Sequence, residues 1–254
     1  MFTRPACLVS LLAFTLSGCA HLIWGCSYRA PLEEQVVAAQ DATRVQIDVA
    51  AGSLVVVGSD DVTEVRARGE ACSSDELRLD EFSIRVYQDG DTVHVESVQP
   101  DESSVDGLID MVVDVPANLF ALIGDSSGRI ELSGVAGVDI TDGSGSVYVE
   151  DISGNVRITD GSGSIDVRDV RGDVWVTDGS GRMDVEGVAG SVVVTEDGSG
   201  SIDIRSVEGD VTIRRDGSGS IRVRSVGGSF RVESDGSGGI DYEDVVGELS
   251  LPER

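Results

Sequence analysis

The sequence is poor in several residue types, and each scarcity narrows the classes of protein that it can encode. Only 5 of the 254 residues are proline, which excludes a collagen-like or proline-rich linker protein. Basic residues number 19 against 46 acidic ones, and the formal charge of −27 argues against nucleic acid as a partner. Histidine occurs only as His21 and His94, which leaves few candidates for a catalytic base. Glycine is abundant instead, with 32 residues, and predicts many tight turns.

The first residues have the organisation of an export signal. Arg4 precedes an apolar run over residues 6–15, which is too short to span a bilayer. The run ends in Leu-Ser-Gly-Cys at residues 16–19, which resembles the lipobox of bacterial lipoproteins. The resemblance implies a signal peptide over residues 1–18 and a lipid on Cys19, and Ala20 then favours the outer membrane. The alternative is an ordinary signal peptide or an uncleaved anchor.

Four cysteines occur, and two of them belong to the start of the chain. Cys7 would leave with the signal, and Cys19 would carry the lipid. Cys26 and Cys72 remain in an exported compartment, where disulfides persist. We predict either a disulfide that ties the lipidated stem to the folded body or two unrelated thiols.

One tetrapeptide, Asp-Gly-Ser-Gly, recurs six times in the second half of the chain. The steps between successive copies are 18, 18, 19, 19 and 19 residues. The copies begin at Asp142, Asp160, Asp178, Asp197, Asp216 and Asp235. A fixed period of this length predicts a stacked repeat protein.

Two short alternating patterns in each repeat predict two half-buried strands. In residues 160–177, Ile165 and Val167 alternate with Asp166, and a second valine pair flanks Trp175. Equivalent residues would lie about 4.8 Å apart in a parallel solenoid and about 9.6 Å apart in an antiparallel meander. Because each of the two turns keeps its own sequence over six copies, we predict an all-β parallel β-solenoid. Its coils, similar to those of a single-stranded β-helix, would have 18–19 residues and two short strands each.

The repeat weakens towards the N-terminus. Residues 43–125 contain several strand patterns and a hairpin turn at residues 89–91, so we predict irregular β-coils that form a cap region. Residues 126–251 are predicted to be the regular solenoid repeats, and residues 19–42 a lipidated stem or linker. No helix of convincing length is predicted after the signal.

Three segments carry a family resemblance. Residues 45–60 read VQIDVAAGSLVVVGSD, residues 113–119 read VDVPANL, and residues 162–174 read SGSIDVRDVRGDV. With these segments the chain resembles the DUF4097 family of "putative adhesins" and is similar to the related head-GIN and DUF2807-type adhesin proteins. The resemblance covers roughly residues 43–251. It implies a single β-solenoid on an exported, often membrane-anchored protein, and it implies no reaction and no catalytic residues.

The aspartate that opens each tetrapeptide is a candidate cation ligand. Stacked carboxylates and turn carbonyls are the oxygen ligands that Ca²⁺ prefers. The candidate column consists of Asp142, Asp160, Asp178, Asp197, Asp216 and Asp235. The alternative, which we favour, is that each aspartate bonds the backbone of its own turn.

A second column of aspartates is predicted to stack outward. It consists of Asp166, Asp184, Asp203 and Asp241. Like charges about 5 Å apart repel by roughly 0.8 kcal/mol in water. Nearby arginines would neutralise this column without a metal, namely Arg168, Arg205, Arg222 and Arg224.

A tryptophan and a short motif are two further candidate functional sites. Trp175 is predicted to point outward, where it would contact a glycan or a partner protein or would simply pack beside Val193. Residues 124–128 match the G-x-S-x-G pattern of serine hydrolases, but they fall in a repeat turn with no helix after it.

Together these features predict a non-catalytic, lipid-anchored protein of the cell envelope. Its solenoid would present ladders of side chains to a protein or glycan partner, as an adhesin or interaction scaffold does. The alternatives are a structural or signalling accessory lipoprotein and, third, a carbohydrate-active β-helix enzyme. A cleft lined by paired carboxylates would favour the enzyme, and a flat, evenly charged face would favour binding or structure.

Overall fold

A computed structural model describes residues 26–100 and 107–253. The predicted signal peptide over residues 1–18 and the predicted lipid site Cys19 lie outside the described residues. The described strands form a parallel β-solenoid of about seven coils, which confirms the predicted fold class. Within the described ranges the only helix is a 3-10 helix over Glu76–Glu81, and no helix there has the length and apolar character that crossing a membrane requires.

Each regular coil contains a short strand followed by a long one. The short strands are β9 (Gly137–Asp142), β11 (Val156–Asp160), β13 (Val174–Asp178), β15 (Val192–Asp197), β17 (Val211–Ile213), β19 (Phe230–Val232) and β21 (Leu249–Ser250). The long strands are β10 (Gly145–Ile152), β12 (Gly163–Val170), β14 (Gly181–Val188), β16 (Gly200–Val207), β18 (Gly219–Val226) and β20 (Gly238–Val245). β8 (Phe120–Ser133) supplies both strands of the first coil without a break.

Equivalent residues of successive coils are direct neighbours. Asp160 lies opposite Asp178, and Ile165 lies opposite Met183, in parallel pairs of strands. The antiparallel meander is therefore wrong for the repeats. The inward side chains form aliphatic columns that are buried from one coil to the next, such as Val147, Ile165, Met183, Ile202 and Ile221.

The first layer of the stack is far in sequence from the second. β3 (Arg44–Ser59) pairs in parallel with β8. The chain between β3 and β8 also supplies two strands that form the layer on the other side of β3. These strands are β6 (Thr92–Val98) and β7 (Gly107–Pro116), both parallel to β3. A layer that stacks in parallel on β8 therefore lies within residues 43–125, the predicted cap region.

Antiparallel strands close this end of the solenoid. β4 (Glu64–Ser73) pairs antiparallel with β7, and β5 (Ser83–Asp89) pairs antiparallel with β6 through the turn at Gly90. Two strands from the predicted stem, β1 (Tyr28–Pro31) and β2 (Gln35–Ala38), pair with β4. These pairings cover an edge that would otherwise be free to pair with another chain.

A disulfide joins the N-terminal segment to the cap. Cys26 is bonded to Cys72 on β4, and their Cα atoms are 5.5 Å apart. Part of the predicted stem over residues 19–42 is therefore fixed to the folded body, from Cys26 onward.

Candidate functional site

The aspartates of the repeated tetrapeptides form one column along a corner of the solenoid, here called the corner column. Asp160 lies opposite Asp142 on one side and Asp178 on the other. The column also includes Asp125 of β8, which pairs with Asp142. Its members are Asp125, Asp142, Asp160, Asp178, Asp197, Asp216 and Asp235. Their side chains point inward, and all but the last are buried, with only 2% of Asp178 exposed.

The tetrapeptide explains this geometry. Oδ1 of Asp160 accepts a hydrogen bond from the backbone N–H of Ser162 at 3.2 Å, and three other aspartates of the column accept the equivalent bond. This is the turn chemistry that the sequence favoured. Gly163 has a φ of +150°, and a Cβ there would lie 1.6 Å from the carbonyl oxygen of Gly145. Only glycine lets the corners stack so closely.

Burial and mutual repulsion favour the protonated form of these carboxyls. Burial and, second to it, the charge of Asp142 raise the pKa of Asp125 and of Asp160 to about 6. The pKa of Asp197 rises to about 7, because it is buried between two other aspartates. Burial also raises the pKa of Asp142, Asp178 and Asp216. Part of the column therefore carries protons near pH 6 to 7, where an exposed aspartate is ionised.

The predicted calcium site falls on this column. The Oδ2 atoms of Asp125, Asp142, Asp160 and Asp178 have no hydrogen-bond partner. A calcium ion would need several such oxygens to converge on one point. Among residues 26–100 and 107–253, no group of three or more acidic, histidine or cysteine side chains is placed to hold a metal ion. Calcium binding stays a prediction. Burial and the repulsion between neighbouring carboxyls in the column account for the raised pKa values.

A second set of charged side chains lies on the outer face of the long strands and is called the outer ladder. Asp166 lies opposite Asp184, which lies opposite Asp203, as the repeat predicts. Arg222 takes the next place and Asp241 the one after it. A parallel row two residues further along contains Arg168, Glu186, Arg205, Arg224 and Glu243. The chain contains no lysine, so every cation of the ladder is an arginine.

Arginines neutralise the outer ladder, both within a coil and between coils. Arg205 lies 3.0 Å from Asp184 and 2.9 Å from Glu186, both of the preceding coil. Arg222 lies 3.3 Å from Asp203 of the coil before it. Arginines therefore pair with the outward aspartates, both within a coil and from one coil to the next.

A depression of about 460 Å³ opens on the outer ladder. Its lining consists of Ser164, Ile165, Asp166, Arg168, Arg182, Asp184 and Arg205. Asp166 accepts a hydrogen bond from Arg168 at 2.9 Å, and Asp184 accepts one from Arg182 at 2.8 Å. A glycosidase needs two carboxyl groups that flank the scissile bond as acid and base or nucleophile. Here each carboxylate is bonded to an arginine, so the depression resembles a charged surface more than a catalytic cleft.

Trp175 lies on the outer face of β13, between Arg157 and Val193, as predicted. Its side chain is half-buried, and the guanidinium carbon of Arg157 lies 5.3 Å from the centre of its ring. This is a cation–π distance. Neighbours on both sides therefore cover part of the ring, and a role in ligand contact stays a prediction.

The corner opposite the corner column carries a hydrogen-bond ladder that the sequence analysis missed. Oδ1 of Asn155 accepts from the backbone N–H of Asp173 at 3.0 Å, and Asp173 accepts from Ser191 at 2.8 Å. Ser191 and Asp210 continue the same pattern into the following coils. The signal was present as an Asn, Asp or Ser directly before the first apolar residue of five successive short strands, from β11 to β19.

The G-x-S-x-G segment at residues 124–128 is part of β8. No helix follows it within residues 129–253, as the repeat pattern predicted. The ring of His94 stacks on Tyr87, with centroids 4.9 Å apart. The local context therefore differs from the strand–turn–helix in which a hydrolase serine lies.

These features define a parallel β-solenoid with one inward-facing and one outward-facing column of carboxylates. No protein-family model matches the chain, and no curated protein matches it. The resemblance to the DUF4097 family therefore stays a prediction.

Several solved structures show a weak likeness. A "putative cell adhesion protein" from Clostridium sporogenes is 10% identical, covering 89% of this chain and 100% of its own, with a TM-score of 0.30. A "putative adhesin" from Bacteroides fragilis is 12% identical, covering 88% and 97%, with a TM-score of 0.35. Another from Parabacteroides distasonis is 10% identical, covering 87% and 96%, with a TM-score of 0.39. At these TM-scores the likeness assigns neither fold nor function, and the fold rests on the strand pairing above.

Proposed function

We propose that this chain is a non-catalytic, lipid-anchored interaction scaffold of the cell envelope, of the adhesin type. It is exported, held at the outer membrane through Cys19, and presents the outer ladder to a protein or glycan partner. The observation that carries the proposal is the continuous face on which acids and arginines stand side by side across successive coils. Such a face offers many weak polar contacts along its length instead of one catalytic point.

The position of the cap supports an anchored arrangement. Cys19 precedes Cys26 by seven residues, and Cys26 is bonded to Cys72 in the cap. A lipid on Cys19 would therefore be attached at the capped end. Seven coils at the strand spacing would extend about 34 Å from that end. Ladder residues would then be carried outward from the membrane surface.

The lipid part of the proposal is tested by mass spectrometry of the mature protein. We expect an N-terminal Cys19 that carries acyl chains, and we expect Cys19→Ala to leave the membrane fraction. An unmodified Cys19 in a membrane-bound protein would contradict the anchor.

The binding part is tested by capture from native envelope fractions with the lipidated protein. Arg168→Gln together with Arg182→Gln removes two arginines from the ladder around the depression. Arg171→Gln together with Arg214→Gln removes two exposed arginines outside it and serves as the matched control. We expect the control to retain the wild-type partners and the ladder variant to lose them. Equal capture by both variants would contradict a role for the ladder.

A further inference from the structure

The last coil of the solenoid exposes side chains that are buried in every earlier regular coil. Tyr242 lies opposite Val223 and is 44% exposed, whereas Val223 is fully buried. Leu249 lies opposite the fully buried Phe230 and is 39% exposed. Ile240, Val245 and Leu251 are likewise more exposed than their equivalents one coil below. The last coil therefore presents an apolar surface on which a further strand could stack.

The backbone at this end is also open. Among the described strands, β20 pairs only with β18, and β21 pairs only with β19. The other edge of each strand presents unpaired N–H and C=O groups, which is the feature that strand addition uses. The opposite end of the solenoid is covered by antiparallel strands, so the open edge belongs to one end alone.

The charges indicate what would pair with this edge. Along the solenoid, an acid of one coil is repeatedly paired with an arginine of the next. The pairs are Asp139 with Arg157, Asp184 and Glu186 with Arg205, Glu196 with Arg215, and Asp203 with Arg222. The last coil presents Asp241 and Glu243 in these rows, with 75% and 70% of their side chains exposed. Their only ion pairs in the described ranges come from the coil below, at 3.9 and 3.8 Å.

A second copy of this chain is a poor occupant of the edge. Two copies joined at this end would bring the same acids together, with Asp244, Glu248 and Glu253 adding to the local negative charge. Like charges directly opposite each other across strands are destabilising. The same position in the inner coils is filled by strands such as β18, whose sequence alternates aliphatic residues with Arg222 and Arg224.

We propose that the last coil is a β-strand addition site for a partner protein whose strand alternates aliphatic residues with arginines. The aliphatic side chains would cover Ile240, Tyr242 and Val245, and the arginines would pair with Asp241 and Glu243. This site shares Asp241 and Glu243 with the end of the outer ladder, but it also uses the open strand edge. It lies several coils away from the depression at Arg168 and Arg182, on which the capture test of the proposed function rests.

The probe is a dye-labelled peptide with the sequence of residues 217–226, GSGSIRVRSV, which contains the strand pattern in question. Binding to the folded, disulfide-bonded protein is followed by fluorescence anisotropy. We expect saturable binding at least tenfold tighter than that of the same peptide with both arginines replaced by glutamate. A scrambled peptide of equal charge controls for attraction to the acidic chain as a whole and should bind at least tenfold more weakly.

Charge reversal locates the site. Asp241→Arg with Glu243→Arg should reverse the preference between the arginine and glutamate peptides. Glu76→Arg with Asp80→Arg makes the same charge change at the capped end and should leave the preference unchanged. If the reversal variant fails to fold, the wild-type protein is tested with a peptide whose backbone nitrogens along one edge are methylated. This peptide cannot donate strand hydrogen bonds along that edge and should not bind. Equal binding of matched and scrambled peptides would overturn the proposal, as would self-association at this end that excludes the peptide. Neither result would change the comparison in the capture experiment, which rests on Arg168 and Arg182 around the depression.

Discussion

The corner column and the outer ladder both stack aspartates from one coil to the next, but the repulsion between these aspartates is relieved differently in the two columns. On the outside, Asp184 is held by Arg182 and Arg205, so charge is balanced by charge. At the corner no arginine approaches Asp160 within ion-pair distance in the described ranges, and burial raises its pKa to about 6. A stacked aspartate can therefore be stabilised by a cation from its neighbour or by a proton of its own.

The difference follows from what each side of the strand faces. The corner aspartate takes an inward position because its carboxylate closes the turn by accepting from a backbone N–H. The two glycines of the same turn, Gly161 and Gly163, pack against the coil below, where a Cβ would lie 2.4 Å and 1.6 Å from a backbone oxygen. The outer ladder faces solvent, where an arginine can cross from one coil to the next.

A substitution that prevents successive coils from stacking would disrupt both columns at once. We expect it to have the largest effect on stability. Gly163→Ala would place a Cβ 1.6 Å from the carbonyl oxygen of Gly145, at a φ of +150°. We expect a loss of about 4 kcal/mol or more in the free energy of unfolding. Gly239→Ala is the control, because a Cβ there meets no atom within 4 Å. Chemical denaturation of both variants measures the difference, and equal stabilities would contradict the close stacking.

Removing an arginine weakens the outer ladder alone. Arg205→Met keeps the apolar stem but leaves the buried Asp184 with one fewer cation. We expect a loss of about 2 kcal/mol, less than for a fully buried pair because Arg205 is partly exposed to solvent. Arg171→Met, at an exposed position outside the ladder, should change stability by less than about 0.5 kcal/mol. The loss should shrink in high salt, and a loss unaffected by salt would point to packing instead.

Removing a charge from the corner column should stabilise the protein, whereas removing an arginine from the outer ladder should destabilise it. Because the pKa of Asp197 in the folded protein lies near 7 and that of an unfolded aspartate near 4, the folded state binds more protons between these values. Stability should therefore fall as the pH rises from 4 to 7.

Asp197→Asn removes this proton uptake while keeping an oxygen that can accept from the turn. We expect a gain of about 1 kcal/mol at pH 8 and a flatter pH dependence. Asp173→Asn is the matched control, since Asn155 fills the same place one coil earlier. Urea denaturation at several pH values separates the two variants. A destabilised Asp197→Asn at pH 8 would mean that its charge is needed.

Calcium should have the smallest effect. If the corner column is stabilised by protons, 1 mM calcium should shift the melting temperature by no more than 1 mM magnesium does, to within about 1 °C. A larger shift with calcium, lost in Asp197→Asn, would restore the cation site.

The period, the strand pairs and the turn role of the aspartates could all be predicted from the sequence. Glycines at fixed positions and aliphatic residues such as Ile165 and Val174 leave few alternative stacks. The pairing of β3 with β8 could not be predicted, because it joins segments that are far apart in sequence. The protons on the corner column also escaped sequence reasoning. The carboxyl of a stacked aspartate is neutralised by an arginine if its Cβ points outward and by a proton if its Cβ points inward. The sequence of a turn does not determine that direction.

The most direct test of the buried column is an NMR titration of aspartate carboxyl carbons in ¹³C-labelled protein, with Asp→Asn variants for assignment. We predict that Asp197 titrates near pH 7 and that Asp125 and Asp160 titrate near pH 6. Titration of all three near pH 4, in the range of exposed aspartates, would contradict the protonated column.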